Sequence, residues 1–182
     1  MKNEIYDNML SSYDVATEQQ MLNAIFEVNQ QVILAGLYNG GFFDVPAFYG
    51  GTCLRIFHGL QRFSEDMDFS LLSLDDKFDF TKYFQPIIDE FAIVGREVEI
   101  KKKDKKGFGK VESAFLKDNT DVYDVSFQTD KSIKIKIEVD TQPLLNFRTE
   151  QKLLLQPHSF MTRCFTLPAL FAGKMHALVY RG

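Results

Sequence analysis

A run of residues in the second half of the chain alternates regularly between apolar and charged side chains, and this alternation constrains the fold most strongly. Within residues 132–140, isoleucine or valine occupies every second position, and the positions between them are charged: Lys134, Lys136, Glu138 and Asp140. Because successive side chains of a β-strand point to opposite faces, this pattern predicts a strand with one buried face and one polar face.

A shorter alternation of the same kind occurs earlier in the chain. In residues 66–72, methionine, phenylalanine and leucine alternate with Asp66, Asp68 and Ser70. The pattern predicts a strand over residues 67–72. Asp66 and Asp68 are then two positions apart, so their carboxylates project from the same face of this strand.

Helical spacing of apolar residues, interspersed with these strands, indicates an α+β fold. It predicts helices over residues 17–38, 52–60, 81–93 and 169–181. Further strands are predicted at residues 95–102, 110–117 and 122–128. Thr17 is expected to cap the first helix, and Gly40-Gly41 to end it. Neither a repeat nor a low-complexity linker interrupts these elements, so residues 1–182 are expected to form a single domain.

Composition excludes several classes of protein. Of 182 residues, 45% are hydrophobic and 25% are charged, as in globular domains and unlike disordered chains. No apolar run approaches the roughly 20 residues of a membrane span, and two cysteines cannot build a disulfide framework, so a cytoplasmic protein without a membrane partner is expected. The net charge of −4 argues against a nucleic-acid binder with a wholly basic surface. The lysine-rich segment 101–110 is expected to be a soluble hairpin tip, with contact to an RNA backbone as the alternative.

The sequence Gly50-Gly51-Thr52 has the character of a phosphate-binding turn. Glycine lets the backbone approach a ligand closely, and the start of the following helix offers free N–H groups and the positive end of a dipole. The thirteen residues between Thr52 and Asp66 are enough for a helix and a turn back into the strand that bears the carboxylates. A plain turn and helix cap is the alternative interpretation.

Paired carboxylates on one strand face indicate a bound cation. Two such groups repel each other unless a positive charge lies between them, and Mg²⁺ commonly joins one or two carboxylates to substrate phosphates. A third carboxylate from the neighbouring strand would complete a site for two metal ions. Glu138 is the candidate for this ligand, and Asp140 on the same face is its rival. We expect Asp66, Asp68 and Glu138 to bind Mg²⁺ or Mn²⁺ and to be catalytic. The alternatives are a solvated strand face for the two aspartates and a cross-strand pair with a lysine for Glu138.

Three segments together resemble the motifs of the AbiEii/AbiGii-type nucleotidyltransferase toxins, which belong to the superfamily with the DNA polymerase β-like fold. Residues 50–55 and 62–70 resemble the first motif, residues 136–138 the second, and residues 167–178 the third. The resemblance implies a mixed β-sheet with flanking helices. It also implies a triphosphate contact for Lys174. The remaining candidates for nucleotide binding are Gly50, Gly51, Thr52, Arg55, Arg62, Ser64 and Lys136.

The same resemblance implies a toxin of a toxin–antitoxin or phage-defence pair, with a cognate antitoxin as partner. Such an enzyme would transfer a nucleoside monophosphate from a nucleoside triphosphate to an RNA, tRNA included, or to a protein hydroxyl. Because family members continue into a further segment and helices, a C-terminal helical part is expected to be missing after Gly182. A nucleotide-binding or partner-binding module without turnover is the alternative function.

Overall fold

The computed structural model describes residues 3–75, 77–103, 120–128, 133–143 and 146–180. Its helices are α1 (Glu4–Ser11), α2 (Glu18–Asn39), α3 (Gly50–His58), α4 (Phe84–Ile93) and α5 (Leu167–Tyr180). Its strands are β1 (Pro46–Tyr49), β2 (Met67–Leu71), β3 (Val98–Lys102), β4 (Thr120–Phe127), β5 (Lys134–Asp140), β6 (Thr149–Leu154) and β7 (Phe160–Phe165). Short 3₁₀ turns at Phe42–Asp44 and Phe80–Tyr83 precede β1 and α4.

The described strands form one mixed sheet in the order β3-β4-β5-β2-β1-β7-β6. Two neighbouring pairs, β2 with β5 and β1 with β7, run parallel, whereas the other pairs run antiparallel. The predicted α+β class and the mixed sheet with flanking helices are thereby confirmed.

The two faces of the sheet differ in polarity as the alternating sequences predict. The apolar residues of β2 and β5, Phe69 and Ile137 among them, are fully buried in a cluster that includes Val32 of α2 and Phe91 of α4. Helices therefore cover this face and form the core with it. The intervening residues of β2 and β5, including Asp68 and Glu138, project from the opposite face.

The structure shifts the bounds of the predicted elements by up to three residues and adds other elements. The Thr17 side chain caps α2 in a reciprocal capping box with Gln20, and Gly40 ends the helix, both as expected. Helix α1 and the strand pair β6–β7 were not predicted. Helix α1 is short, and apolar and polar residues do not alternate regularly in β6. Strand β3 pairs with β4, and its predicted hairpin partner falls among residues that the structure does not describe. The predicted strand 110–117 and most of the lysine-rich segment lie outside the described residues.

The crossing of α2 and α4 depends on Gly36. A Cβ atom at this position would lie 2.6 Å from the Ile87 Cα atom of α4, a separation that side chains do not tolerate. Glycine therefore lets the two helix backbones approach each other closely, and this contact holds the helical layer against the sheet.

We expect Gly36→Ala to lower the free energy of unfolding by about 1–3 kcal/mol, because the added methyl overpacks a backbone contact that cannot shift cheaply. Gly173→Ala is the matched control, since Gly173 is also helical and a Cβ atom there meets nothing within 4 Å. The control should be neutral or stabilising by up to about 1 kcal/mol through helix propensity. Urea denaturation of both variants measures the difference, and equal stabilities would contradict the packing argument.

Candidate active site

Strand register aligns two of the predicted carboxylates side by side. Asp68 of β2 is paired with Glu138 of the parallel strand β5, and Tyr49 of β1 is paired with Asp68 on its other side. Paired residues of neighbouring strands project from the same face. Glu138, Asp68 and Tyr49 therefore form a transverse row across the polar face of the sheet.

Lys136 connects the remaining carboxylate to this row. Its Nζ atom lies 3.0 Å from Asp66 Oδ2 and 2.9 Å from Glu138 Oε1. Burial works against the charge of Lys136, but its hydrogen bonds to Glu138 and Asp66, together with their negative charges, outweigh burial and raise the lysine pKa. One ammonium group thus bridges carboxylates from two segments, which shows that Asp66 and Glu138 can share a cation.

Asp140 has a different environment from Glu138. It is paired with Ser70 in β2 and with Thr120 in β4. The Ser70–Asp140 pair lies two residues beyond the Asp68–Glu138 pair along β2 and β5. It is 7% exposed, and its Oδ1 atom accepts the backbone N–H of Gln142 at 3.0 Å. Glu138, rather than Asp140, is therefore the carboxylate adjacent to Asp68.

Gly50 allows the Asp68 carboxylate to lie against the start of α3. A Cβ atom at Gly50 would be only 2.1 Å from Asp68 Oδ2, and the glycine has a φ of +84°. Tyr49, which precedes the helix, provides no side-chain cap. A carboxylate at this position interacts favourably with the N-terminal N–H groups and with the positive end of the helix dipole.

Buried hydrogen bonds hold the segment that leads into Asp66. The Thr52 hydroxyl, which is fully buried, donates to the Asp66 carbonyl oxygen. Gln30 of α2, also fully buried, donates its amide to the carbonyl oxygens of Ser64 and Glu65 at 2.9 and 3.1 Å. Gly51 fits tightly here too, because a Cβ atom would be 2.9 Å from the Ser64 Oγ atom.

These contacts assign a positioning function to several residues. The Thr52 side chain orients the segment around Asp66, and a phosphate contact by this fully buried residue stays a prediction. Gln30 contributes in the same way and was not among the candidates predicted from the sequence. Its position among the apolar residues of α2 provides no signal of this contact, which depends on how α2 packs against the segment before β2.

The predicted basic residues lie in three different surroundings. Arg55 forms an ion pair with Glu27 of α2 and donates to the carbonyl oxygens of Leu60 and Gln61 at 3.3 and 3.0 Å, so its guanidinium links α3 to its surroundings. Arg62 is exposed in the connection between α3 and β2. Lys174 is partly buried on α5, which packs against α3. A phosphate contact by any of the three stays a prediction.

The donor set agrees with a hard divalent cation, although the side chains do not enclose one as they stand. Asp66, Asp68 and Glu138 supply carboxylate oxygens, the ligands that Mg²⁺ and Mn²⁺ favour. Among the described residues, no three acidic, histidine or cysteine side chains are close enough together to hold one ion. Because Lys136 lies between Asp66 and Glu138, an ion bound by both would replace its ammonium group.

Comparisons with known proteins give a family for residues 32–182. They match the family model described as "Nucleotidyl transferase AbiEii toxin, Type IV TA system". No curated protein matches the chain. In the part of the chain that the structure describes, no helix combines the length and the apolar character needed to cross a bilayer.

Solved structures share the fold. JHP933 from Helicobacter pylori matches with a TM-score of 0.55 and 16% identity, over 90% of this chain and 59% of that chain. MenT4, a nucleotidyltransferase toxin from Mycobacterium tuberculosis, matches with a TM-score of 0.56 and 17% identity, over 96% of this chain and 58% of that chain. The chain thus spans less than two thirds of the length of these neighbours.

Replacement of Gly50 by alanine should displace Asp68. We expect Gly50→Ala to lose more free energy of unfolding than Gly59→Ala, by at least about 1 kcal/mol from overpacking. Gly59 is the matched control, because it also has a positive φ, of +68°, but a Cβ atom there meets nothing within 4 Å. Both variants carry the left-handed backbone strain of about 1–2 kcal/mol. Chemical denaturation provides the comparison, and equal losses would argue against the Gly50–Asp68 contact.

Proposed function

Because the chain belongs to the AbiEii nucleotidyltransferase toxin family, we propose that it is a metal-dependent nucleotidyltransferase. It transfers a nucleoside monophosphate from a nucleoside triphosphate to a hydroxyl of an RNA, with tRNA as the first candidate, or of a protein. The observation that supports this most is the pairing of Asp68 with Glu138 across parallel strands. The ammonium group of Lys136 joins Asp66 to Glu138.

In this proposal, Asp66, Asp68 and Glu138 hold Mg²⁺ or Mn²⁺. The bound ions would neutralise the triphosphate and stabilise the attacking and leaving oxygens. The start of α3 supports the same proposal, because its N–H groups beside Asp68 suit a phosphate oxygen. Lys136 would turn from the carboxylates to the phosphates, and Arg62 and Lys174 would add positive charge from the surrounding segments.

The chemistry is a phosphoryl-group substitution. A bond forms between the acceptor hydroxyl oxygen and the α-phosphorus, and the bond from the α-phosphorus to the bridging oxygen of the β-phosphate breaks. Pyrophosphate leaves with that electron pair, and Glu138 accepts the hydroxyl proton as general base. Positioning and charge neutralisation supply most of the catalysis in reactions of this kind.

The proposed biological setting follows from the family. The protein would act in the cytoplasm as the toxin of a toxin–antitoxin or phage-defence pair, with a cognate antitoxin. The alternative function, nucleotide binding without turnover, is favoured by the position of Lys136, whose ammonium already lies between two carboxylates. Calorimetric titration with Mg²⁺ and each nucleoside triphosphate, followed by a transfer assay on the same samples, separates the two: binding without transfer identifies the alternative.

Substitution of the carboxylates should abolish transfer. We expect Asp66→Asn, Asp68→Asn and Glu138→Gln each to lower the rate by more than about 100-fold, since each removes charge that offsets several kcal/mol in the transition state. The assay follows label from each α-labelled nucleoside triphosphate into total RNA and total protein, with Mg²⁺ and then with EDTA.

Glu99→Gln serves as the matched control. Glu99 is also an acidic strand residue, but it is exposed and forms an ion pair with Lys101. This variant should transfer label at the wild-type rate. If the wild type transfers no label to either acceptor, or if the three carboxylate variants match Glu99→Gln, the proposed catalysis is wrong.

Lys136→Met tests the charge balance of the site in the absence of metal. Without the ammonium, Asp66 and Glu138 repel each other, so we expect the melting temperature in EDTA to fall by about 2–4 °C, equivalent to about 1 kcal/mol. Excess Mg²⁺ should raise the melting temperature of this variant more than that of the wild type, since the ion no longer competes with a lysine. Lys101→Met, which removes an exposed ion pair, should change neither value. An equal response to Mg²⁺ in the wild type and in Lys136→Met would show that Lys136 does not compete with the ion.

A further inference from the structure

A stack of three aromatic rings continues the transverse row of the candidate site. The rings of Tyr49 and Phe165 are stacked, with centroids 5.3 Å apart and planes inclined by 24°. Phe147 stacks on Phe165 in the same manner, at 5.0 Å and 23°. Since Tyr49 is paired with Asp68, the stack begins on the strand next to the carboxylates and lies on the same face of the sheet.

A cavity opens beside the far end of this stack. Its volume is about 130 Å³, and its lining combines aromatic and aliphatic side chains with an amide and a hydroxyl group: Leu71, Leu72, Asn146, Phe147, Thr149 and Phe165. A cavity of about 150 Å³ is known to hold benzene, so this slightly smaller one can take one edge of an aromatic base.

We infer that this cavity receives the base of the nucleotide whose phosphates lie at Asp66, Asp68 and Glu138. The inference rests on the proposed function and adds a binding subsite to it. Asp68 and Phe165 belong to strands two places apart in the sheet, which corresponds to about 10 Å. A separation of this order suits a single nucleotide, with its phosphates at one end and its base at the other.

The chemistry of the lining suits a base better than a purely apolar ligand. Phe147 offers a partly exposed ring on which a base can stack. The side-chain amide of Asn146 can donate and accept hydrogen bonds, and so can the hydroxyl of Thr149. Together they can hydrogen-bond to the polar edge of a base. Thr149 is also paired with Phe165 across β6 and β7, which fixes the hydroxyl beside the stack.

The test compares ligands that differ only by the nucleoside. Calorimetry of the full chain with Mg²⁺ measures the affinity for each of the four nucleoside triphosphates and for inorganic tripolyphosphate, which has no base. The wild type should bind at least one nucleoside triphosphate more tightly than tripolyphosphate. Phe147→Leu should weaken that binding by about tenfold, the magnitude of base stacking on an aromatic ring, and leave the affinity for tripolyphosphate unchanged.

Two further variants address the polar groups without disturbing the backbone. Thr149→Val removes the hydroxyl at nearly constant shape, and Asn146→Gly removes the amide at a position with a φ of 86°, which glycine accepts. Both should alter the ranking of the four nucleoside triphosphates. These two variants still test the subsite if Phe147→Leu does not fold.

The control is Phe78→Leu. Phe78 is also a partly buried ring in a stack, with Tyr83 at 6.2 Å, but it packs against Phe42, which contacts Phe69 on the apolar face of the sheet. It should bind every ligand as the wild type does. If all three subsite variants also bind as the wild type does, the base subsite is wrong while the proposed function stands. If Asp68→Asn still binds tripolyphosphate with Mg²⁺ normally, or if the wild type binds neither class of ligand, the proposed function fails and the subsite fails with it.

Discussion

The parallel pairing of β2 with β5 is the constraint on which the candidate site depends. These strands are far apart in the sequence, and their pairing places Asp68 beside Glu138 and Phe69 beside Val139. The first pair faces away from α2 and α4, whereas the second is buried in the core. Because both pairs follow from one register, the packing that stabilises the core also sets the separation of the carboxylates. A shift of one residue would bury charged groups and expose the apolar set, so the core opposes any such slip.

Positive charges and a glycine make the clustering of these carboxylates possible. Clustered carboxylates repel each other, and here the ammonium of Lys136 and the N-terminal end of α3 each stabilise part of the negative charge. Both belong to the polypeptide, so the site can persist without a bound ion. Gly50 is essential to this balance, because any side chain at that position would occupy the space of the Asp68 carboxylate. The glycine that the sequence suggests as a phosphate-binding turn thus also makes room for a neighbouring acid.

Periodicity in the sequence was sufficient to assign β2 and β5 and to place Asp66, Asp68 and Glu138 on polar faces. It could not reveal β6, where residues 149–152 are all polar or charged and the strand lies at the edge of the sheet. In β7, the buried Thr162 interrupts the apolar pattern. The contacts of Lys136 with Asp66, and of Gln30 with the segment before β2, depend on strand order and helix packing. Neither of these is contained in a local pattern of residue types.

The division of the sheet into two faces also explains why the proposed subsites can share one surface. Helices α2 and α4 cover only the apolar face, so residues on the other face can differ in chemistry from strand to strand. Along the row from β5 to β7, this face changes from the carboxylates of Glu138 and Asp68 to the rings of Tyr49 and Phe165. Charged phosphates and an apolar base impose opposite requirements on a protein surface. The transverse row meets both within a short distance, because adjacent positions in it come from different strands of the sheet.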